Sequence, residues 1–167
     1  MRRFVILCAT WGGTGFSPFA SGTVGTLAAI PLYLVLVRLS LPLYLLTVLA
    51  FTLFACWISG HAEEVFGEKD SGKIVIDEVA GYLVTMALVP WSWQYALLGF
   101  VLFRIFDVVK PFPASYFDRK VKNGFGVVMD DVCAGVYAWV ALEGVRFALR
   151  LLAGCSGAHW WCMELTP

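Results

Sequence analysis

Charge in this 167-residue chain is concentrated in three places. Nine of its twelve basic and ten of its twelve acidic residues lie in the stretches roughly 1–23, 60–78 and 104–131. Two apolar segments separate each of these stretches from the next. A chain patterned this way must cover long apolar runs and return to the same side after each pair. If the segments are membrane helices, all three charged stretches emerge on one face of the bilayer. Carboxylates, a few cations and a Gly/Ser/Thr loop gathered at a membrane surface are the makeup of a site for charged lipid headgroups.

Composition supports the membrane reading. Hydrophobic residues make up 60% of the chain, charged residues only 14%, and the mean hydropathy of +0.79 is well above that of an ordinary soluble domain. The length fits one domain, residues 1–154, with a C-terminal tail, 155–167, of no assigned role. Net charge is zero, so no nucleic-acid partner is expected. The five cysteines are dispersed and show no CxxC spacing, which favours buried, reduced thiols. Met1-Arg2-Arg3 before Phe4–Ala9 resembles a signal peptide, but the apolar run is too short for cleavage to be expected.

The apolar segments read as Val24–Leu39, Leu43–Ser59, Val79–Val89, Gln94–Phe106 and Val132–Leu152. At ~1.5 Å per residue the first two cover about 24–26 Å, slightly less than a ~30 Å hydrocarbon core. The third covers only about 17 Å before Pro90, so segments three and four form either two spans or a re-entrant hairpin. Glu143, Arg146 and Arg150 place the far end of the fifth near water. The fold class expected is all-α: a compact helical membrane protein of about four to five apolar helices, its polar loops on one face. A soluble bundle with a very apolar core is the bland alternative. Nine basic residues on the motif side against Arg38, Arg146 and Arg150 opposite place the motif side in the cytoplasm, in a multi-pass inner-membrane protein. Trp91, Trp93, Trp160 and Trp161 suit an aromatic belt at the other interface.

Acidic residues recur at segment boundaries: Asp77-Glu78, Asp107 and Asp130-Asp131. A single carboxylate at a helix start is often only a cap. Adjacent pairs at both the third and fifth segment starts exceed what capping needs. Asp107 ends a helix, where negative charge is disfavoured, and Arg104 or Lys110 could simply pair with it. Converging carboxylates at a membrane face require neutralising cations, and an oxygen-rich donor set suits Mg²⁺ or Mn²⁺ better than Zn²⁺. In the stretch 14–23, the hydroxyls of Thr14, Ser17, Ser21 and Thr23 and the following helix start could hold a phosphate, or form only a loop and cap. The glycine spacing is neither a Walker nor a dinucleotide motif. His61 reads as an interfacial histidine. Cysteine-phosphatase, haloacid-dehalogenase and histidine acid-phosphatase signatures are absent.

Three strings, GTGFSPFASGTVGTLAAIP, KIVIDEVAGYLVTMAL and FRIFDVVKPFPASYFDRKVKNGFGVVMDDVCAG, together resemble the phosphatidylglycerophosphatase A family from about Thr10 to Gly135. The resemblance implies a Mg²⁺-dependent membrane phosphatase that converts phosphatidylglycerophosphate to phosphatidylglycerol and inorganic phosphate. Carried over residue by residue, its acidic positions are Asp77, Glu78, Asp107, Asp130 and Asp131; Lys110 and Asp118 also match. Those five carboxylates would bind metal, with Asp107, Asp130 and Asp131 also acting in catalysis. Lys110 with Arg104 or Arg119 would stabilise phosphoryl charge. Water attack and an aspartyl-phosphate on Asp107 or Asp130 both remain open. Two rivals share some of these features. A small transporter would carry its carboxylates in mid-span, not at segment ends. A CDP-alcohol phosphotransferase would show an Asp-Gly-x-x-Ala-Arg start, which is absent.

Overall fold

The computed structural model describes residues 1–153, without the side chains of 152 and 153. These residues form seven α-helices and a short 3₁₀ turn: α1 Arg2–Ala9, the turn Thr14–Phe16, α2 Ser21–Leu36, α3 Leu41–Phe66, α4 Ile76–Thr85, α5 Trp93–Val109, α6 Ala114–Lys120 and α7 Gly124–Ala153. The all-α expectation holds. The tail 155–167, with Trp160, Trp161, Cys155 and Cys162, lies outside the described residues.

Two helices are long and apolar enough to cross a membrane, Leu41–Phe66 and Gly124–Leu151. They differ in surroundings: 22% of the most apolar eighteen-residue window of α3 is buried, against 50% for α7. Leu43, Leu46, Leu49 and Leu53 therefore form an exposed apolar face on α3, while α7 runs through the middle of the bundle and packs on α3, α4, α5 and α6.

The third apolar segment resolves into a short buried helix. At ten residues α4 is about 15 Å long, and eight of its ten residues are buried. Helices that end inside an apolar core leave carbonyls that water cannot reach. Buried tyrosines satisfy groups in this region: Tyr44 donates to the Leu83 carbonyl (2.7 Å), Tyr82 to Ala96 (3.0 Å) and Tyr33 to Val89 (3.2 Å). The chain then turns back into α5, as both two spans and a re-entrant hairpin require.

Several boundaries differ from the sequence reading. Helix α3 continues seven residues past Ser59 to Phe66, because Ala62 and, in part, Val65 and Phe66 pack into a core cluster with Val5, Ala9 and Ile76. Helix α7 begins at Gly124, eight residues before the expected Val132, since Val127 and Val128 bury in that same cluster. Asp130 and Asp131 thus lie about two turns inside the helix and not at its start, which removes the capping explanation for them. Arg146, expected near water, is 3% exposed. Cys8, Cys56 and Cys133 are free thiols.

Candidate functional site

The three polar stretches meet at one end of the bundle. What brings their carboxylates together is the crossing of α4 and α7, the most extensive helix contact in the structure. At this crossing Gly135 faces the Gly81 carbonyl, and a Cβ there would stand 2.4 Å from that oxygen. Gly81 in turn faces the Asp131 carbonyl, at 2.7 Å from where its Cβ would be. Only glycine at these two positions allows the helix axes to approach this closely. Asp77 and Glu78 lie one turn before Gly81, and Asp131 one turn before Gly135, so the close crossing aligns the three carboxylates.

Among the described residues, Asp77, Glu78 and Asp131 each offer an oxygen within 4.8 Å of the others. Asp77 and Asp131 are buried and Glu78 nearly so. Local backbone contacts fix the first member of each acidic pair. Asp77 Oδ1 accepts from the Glu78 amide and Asp130 Oδ1 from the Asp131 amide, both at 3.0 Å.

Two cations border this group. Arg104 Nη1 lies 2.6 Å from Asp107 Oδ2 and 4.0 Å from Glu78 Oε1. Lys110 Nζ donates to Asp118 and Asp130, both at 2.6 Å. Lys110 ends α5 in the left-handed conformation, φ 46°, a strained choice for a non-glycine residue. It lets one ammonium join α6 and α7. Six carboxylates thus share two paired cations, and Asp77 and Asp131 have no basic partner among the described residues.

Electrostatics follows from this imbalance. Burial, then the neighbouring Asp131 carboxylate, pushes Glu78 up to about 8. Burial and Glu78 likewise raise Asp77 well above the ordinary carboxylate range. Burial alone would push the Lys110 ammonium down, but its bonds to Asp118 and Asp130 overcome this and raise it. The bond from Lys110 holds Asp118 below its usual value. Glu78 Oε2 is buried with no hydrogen-bond partner. An orphaned carboxylate oxygen in an all-oxygen cluster with excess negative charge fits a hard divalent cation, which would satisfy the oxygen and reverse the upward shifts. The buried cluster can therefore hold a metal ion.

The first motif reaches the site through its backbone more than its hydroxyls. A Cβ on Gly22 would stand 2.2 Å from Glu78 Oε1 and 3.0 Å from Arg104 Nη1, so the first turn of α2 lies directly against the acidic group. Thr14 Oγ1 donates to the carbonyls of Thr10 and Trp11, Ser17 to Phe19 and Ser21 to Gly72. These three hydroxyls brace the loop. Thr23 follows Gly22 in the same turn, and Arg119 is exposed on α6 beside Asp118. Of the residues singled out from sequence, the structure brings Asp77, Glu78, Asp107, Asp130, Asp131, Arg104 and Lys110 together. Asp118, matched by the sequence but given no role, joins them through Lys110. Gly22 was readable only as part of a glycine-rich loop.

Comparison with known proteins gives a consistent result. Residues 7–146 match the family described as Phosphatidylglycerophosphatase A. A Haemophilus influenzae protein named Phosphatidylglycerophosphatase A is 38% identical over 84% of this chain and 88% of its own length. An Escherichia coli protein of the same name is 40% identical over 92% of this chain and 84% of its own. A Bacteroides thetaiotaomicron protein, provisionally named phosphatidylinositol-3-phosphatase, is 38% identical over 86% of this chain and 94% of its own. No solved structure matches the chain.

Proposed function

The chain belongs to the phosphatidylglycerophosphatase A family, and on that premise we propose that it hydrolyses the terminal phosphomonoester of phosphatidylglycerophosphate. The products are phosphatidylglycerol, for phospholipid biosynthesis, and inorganic phosphate. The observation that carries this reading is a cluster of six carboxylates whose side chains pair with only two cations, at the end where the three polar stretches meet. Alone, such a cluster would repel a phosphate dianion; with a divalent cation it becomes a phosphate site.

Asp77, Glu78 and Asp131 are the residues we assign to hold that cation, and Mg²⁺ is the ion their oxygen donors suit, with Mn²⁺ an effective substitute. When bound, Mg²⁺ would neutralise charge on the phosphoryl oxygens and help ionise an attacking water. Arg104 and Lys110 stand ready to stabilise charge on the transferring group. Asp107 and Asp130 each have an oxygen committed to a cation, which lowers their nucleophilicity and favours direct attack by water over an aspartyl-phosphate. The first turn of α2, at Gly22 and Thr23, offers backbone amides to a phosphate oxygen.

The remaining features of the reading concern placement. We assign α3 and α7 to membrane spans, with the acidic end at the cytoplasmic headgroup level, on the strength of their apolar length and because nine of the twelve basic residues lie at that end. Residues 1–154 act as one domain. Cysteines introduced at Lys69 and Lys122, in a background lacking the native ones, should react with an impermeant reagent only from the cytoplasmic side. Labelling from opposite sides would overturn that placement.

The decisive assay measures phosphate release from phosphatidylglycerophosphate in mixed micelles. Purified protein should release phosphate with Mg²⁺, lose that activity in chelator and regain it when Mg²⁺ is restored. No release under any of these conditions would overturn the proposal.

A further inference from the structure

One helix separates the acidic site from a continuous apolar surface. On α5, Leu97, Val101, Ile105 and Val108 are exposed at the spacing of a single helix face. Phe103, on another face of that helix, is fully buried, and Arg104 and Asp107 form part of the site. The exposed stripe therefore runs along α5 and ends level with Asp107 and Lys110.

At that end, two large rings are presented to the exterior on braced backbone. Phe19, three residues before Gly22, is 82% exposed, and Phe112, two residues after Lys110, is 74% exposed. The carbonyl beneath each ring is held. Phe19 accepts from Ser17 Oγ at 2.9 Å, and Phe112 accepts from the Tyr137 hydroxyl at 2.7 Å. At both positions a backbone carbonyl is bonded while the ring stays exposed. What sets this surface apart from the exposed face of α3 is its continuity with the site: stripe, rings and charged groups follow one another along one path.

We propose that Phe19 and Phe112 form an apolar rim that seats the acyl–glycerol boundary of the lipid substrate, whose chains then lie along the exposed face of α5. This rests on the functional reading above and extends it by naming the residues that select a lipid over a soluble phosphomonoester. The occupant is inferred from continuity: a molecule spanning stripe, rim and site must be apolar along most of its length and anionic at one end. Binding energy from the chains holds the phosphate against the site. These are positioning residues: the rings would seat the lipid, and the charged groups of the site would face the phosphate.

The test uses full-length protein and two substrates, dioleoyl phosphatidylglycerophosphate in mixed micelles and its dihexanoyl analogue below its micelle concentration. Phe19→Ser and Phe112→Ser should each raise KM for the dioleoyl lipid roughly tenfold, the scale of one lost aromatic contact, with kcat within about twofold. The preference for dioleoyl over dihexanoyl substrate should fall accordingly, and Phe19→Leu and Phe112→Leu should restore most of it. Equal losses on both substrates, a fall in kcat alone, or no change would overturn the rim. A lower oligomeric mass in Phe112→Ser with substrate preference intact would assign the face to a second copy of the chain, and also overturn it. Wild-type protein that hydrolyses neither substrate would overturn the functional reading and the rim together.

Discussion

The two ends of the bundle both bury charge, and they treat it in opposite ways. At the end near the α4–α5 turn, Arg146 is 3% exposed; its Nε has no hydrogen-bond partner, but its charge is matched. It pairs with Glu143, lies over the Tyr95 ring at 5.3 Å and donates to the Leu88 carbonyl at 3.4 Å. One cation there meets one carboxylate, a π-face and a backbone dipole. At the other end, six carboxylates meet two cations, and Glu78 keeps a buried oxygen without a partner. A balanced cluster ties helices together. An unbalanced one lowers stability unless something from outside completes it, and on that difference the proposed function assigns the chemistry to the acidic end.

Amide substitutions should expose the contrast most strongly. Asp131→Asn is expected to lower phosphate release by a factor of roughly a hundred or more, the usual effect of losing a metal ligand or transition-state contact. In chelator the same variant should unfold at a higher temperature than wild type, because a buried carboxylate with no basic partner, costly to bury whether ionised or held neutral, is gone. Near-normal turnover would reduce the acidic end to a structural feature. At the balanced end, Arg146→Met should cost about 2 kcal/mol by denaturant unfolding, below the range for a wholly buried pair because Glu143 stays partly hydrated. Its phosphate release at 25 °C should stay within a few-fold of wild type. A large loss of turnover without a loss of stability would break the distinction between the ends.

Smaller effects sharpen it. Gly22→Ala places a methyl 2.2 Å from Glu78 Oε1, so that carboxylate must shift; kcat/KM should fall roughly tenfold, equivalent to the ~1.4 kcal/mol typical of mild overpacking. Unchanged kinetics would mean that the position of Glu78 is not critical. The smallest effect belongs to Lys122→Ala. Its 3.7 Å pair with Asp70 is about half exposed on both sides, and the expected change in stability is within ~0.5 kcal/mol, with turnover unaltered.

How far the sequence could be read depended on the range of the interaction. Concentration of charge in three stretches was enough to gather Asp77, Glu78, Asp107 and Asp131 at one end, because a pair of apolar helices, whatever their lengths, returns the chain to one side. The start of α7 was misread because Gly124–Met129 combine glycines with apolar residues, a mixture that reads as loop when its packing partners in α3 are unknown. The bond network of Lys110 spans 8 and 20 residues, beyond any helical spacing, so Asp118 carried no role until the fold was known. Arg146 looked water-facing because Leu88 and Tyr95, its partners across the turn, are more than fifty residues away in sequence. Gly22 lies 56 residues from the carboxylate it accommodates, and no local pattern records such an approach.

On the proposed reading a divalent cation completes the acidic end, and none completes the Arg146 end. Titration of Mn²⁺ into purified protein, followed by the paramagnetic resonance of the free ion, tests this directly. Wild type and Glu143→Gln should remove Mn²⁺ from solution with the same saturable stoichiometry, and Mg²⁺ should compete it away, whereas Asp131→Asn should show no saturable binding. Equal Mn²⁺ uptake by wild type and Asp131→Asn, or none by either, would contradict the account.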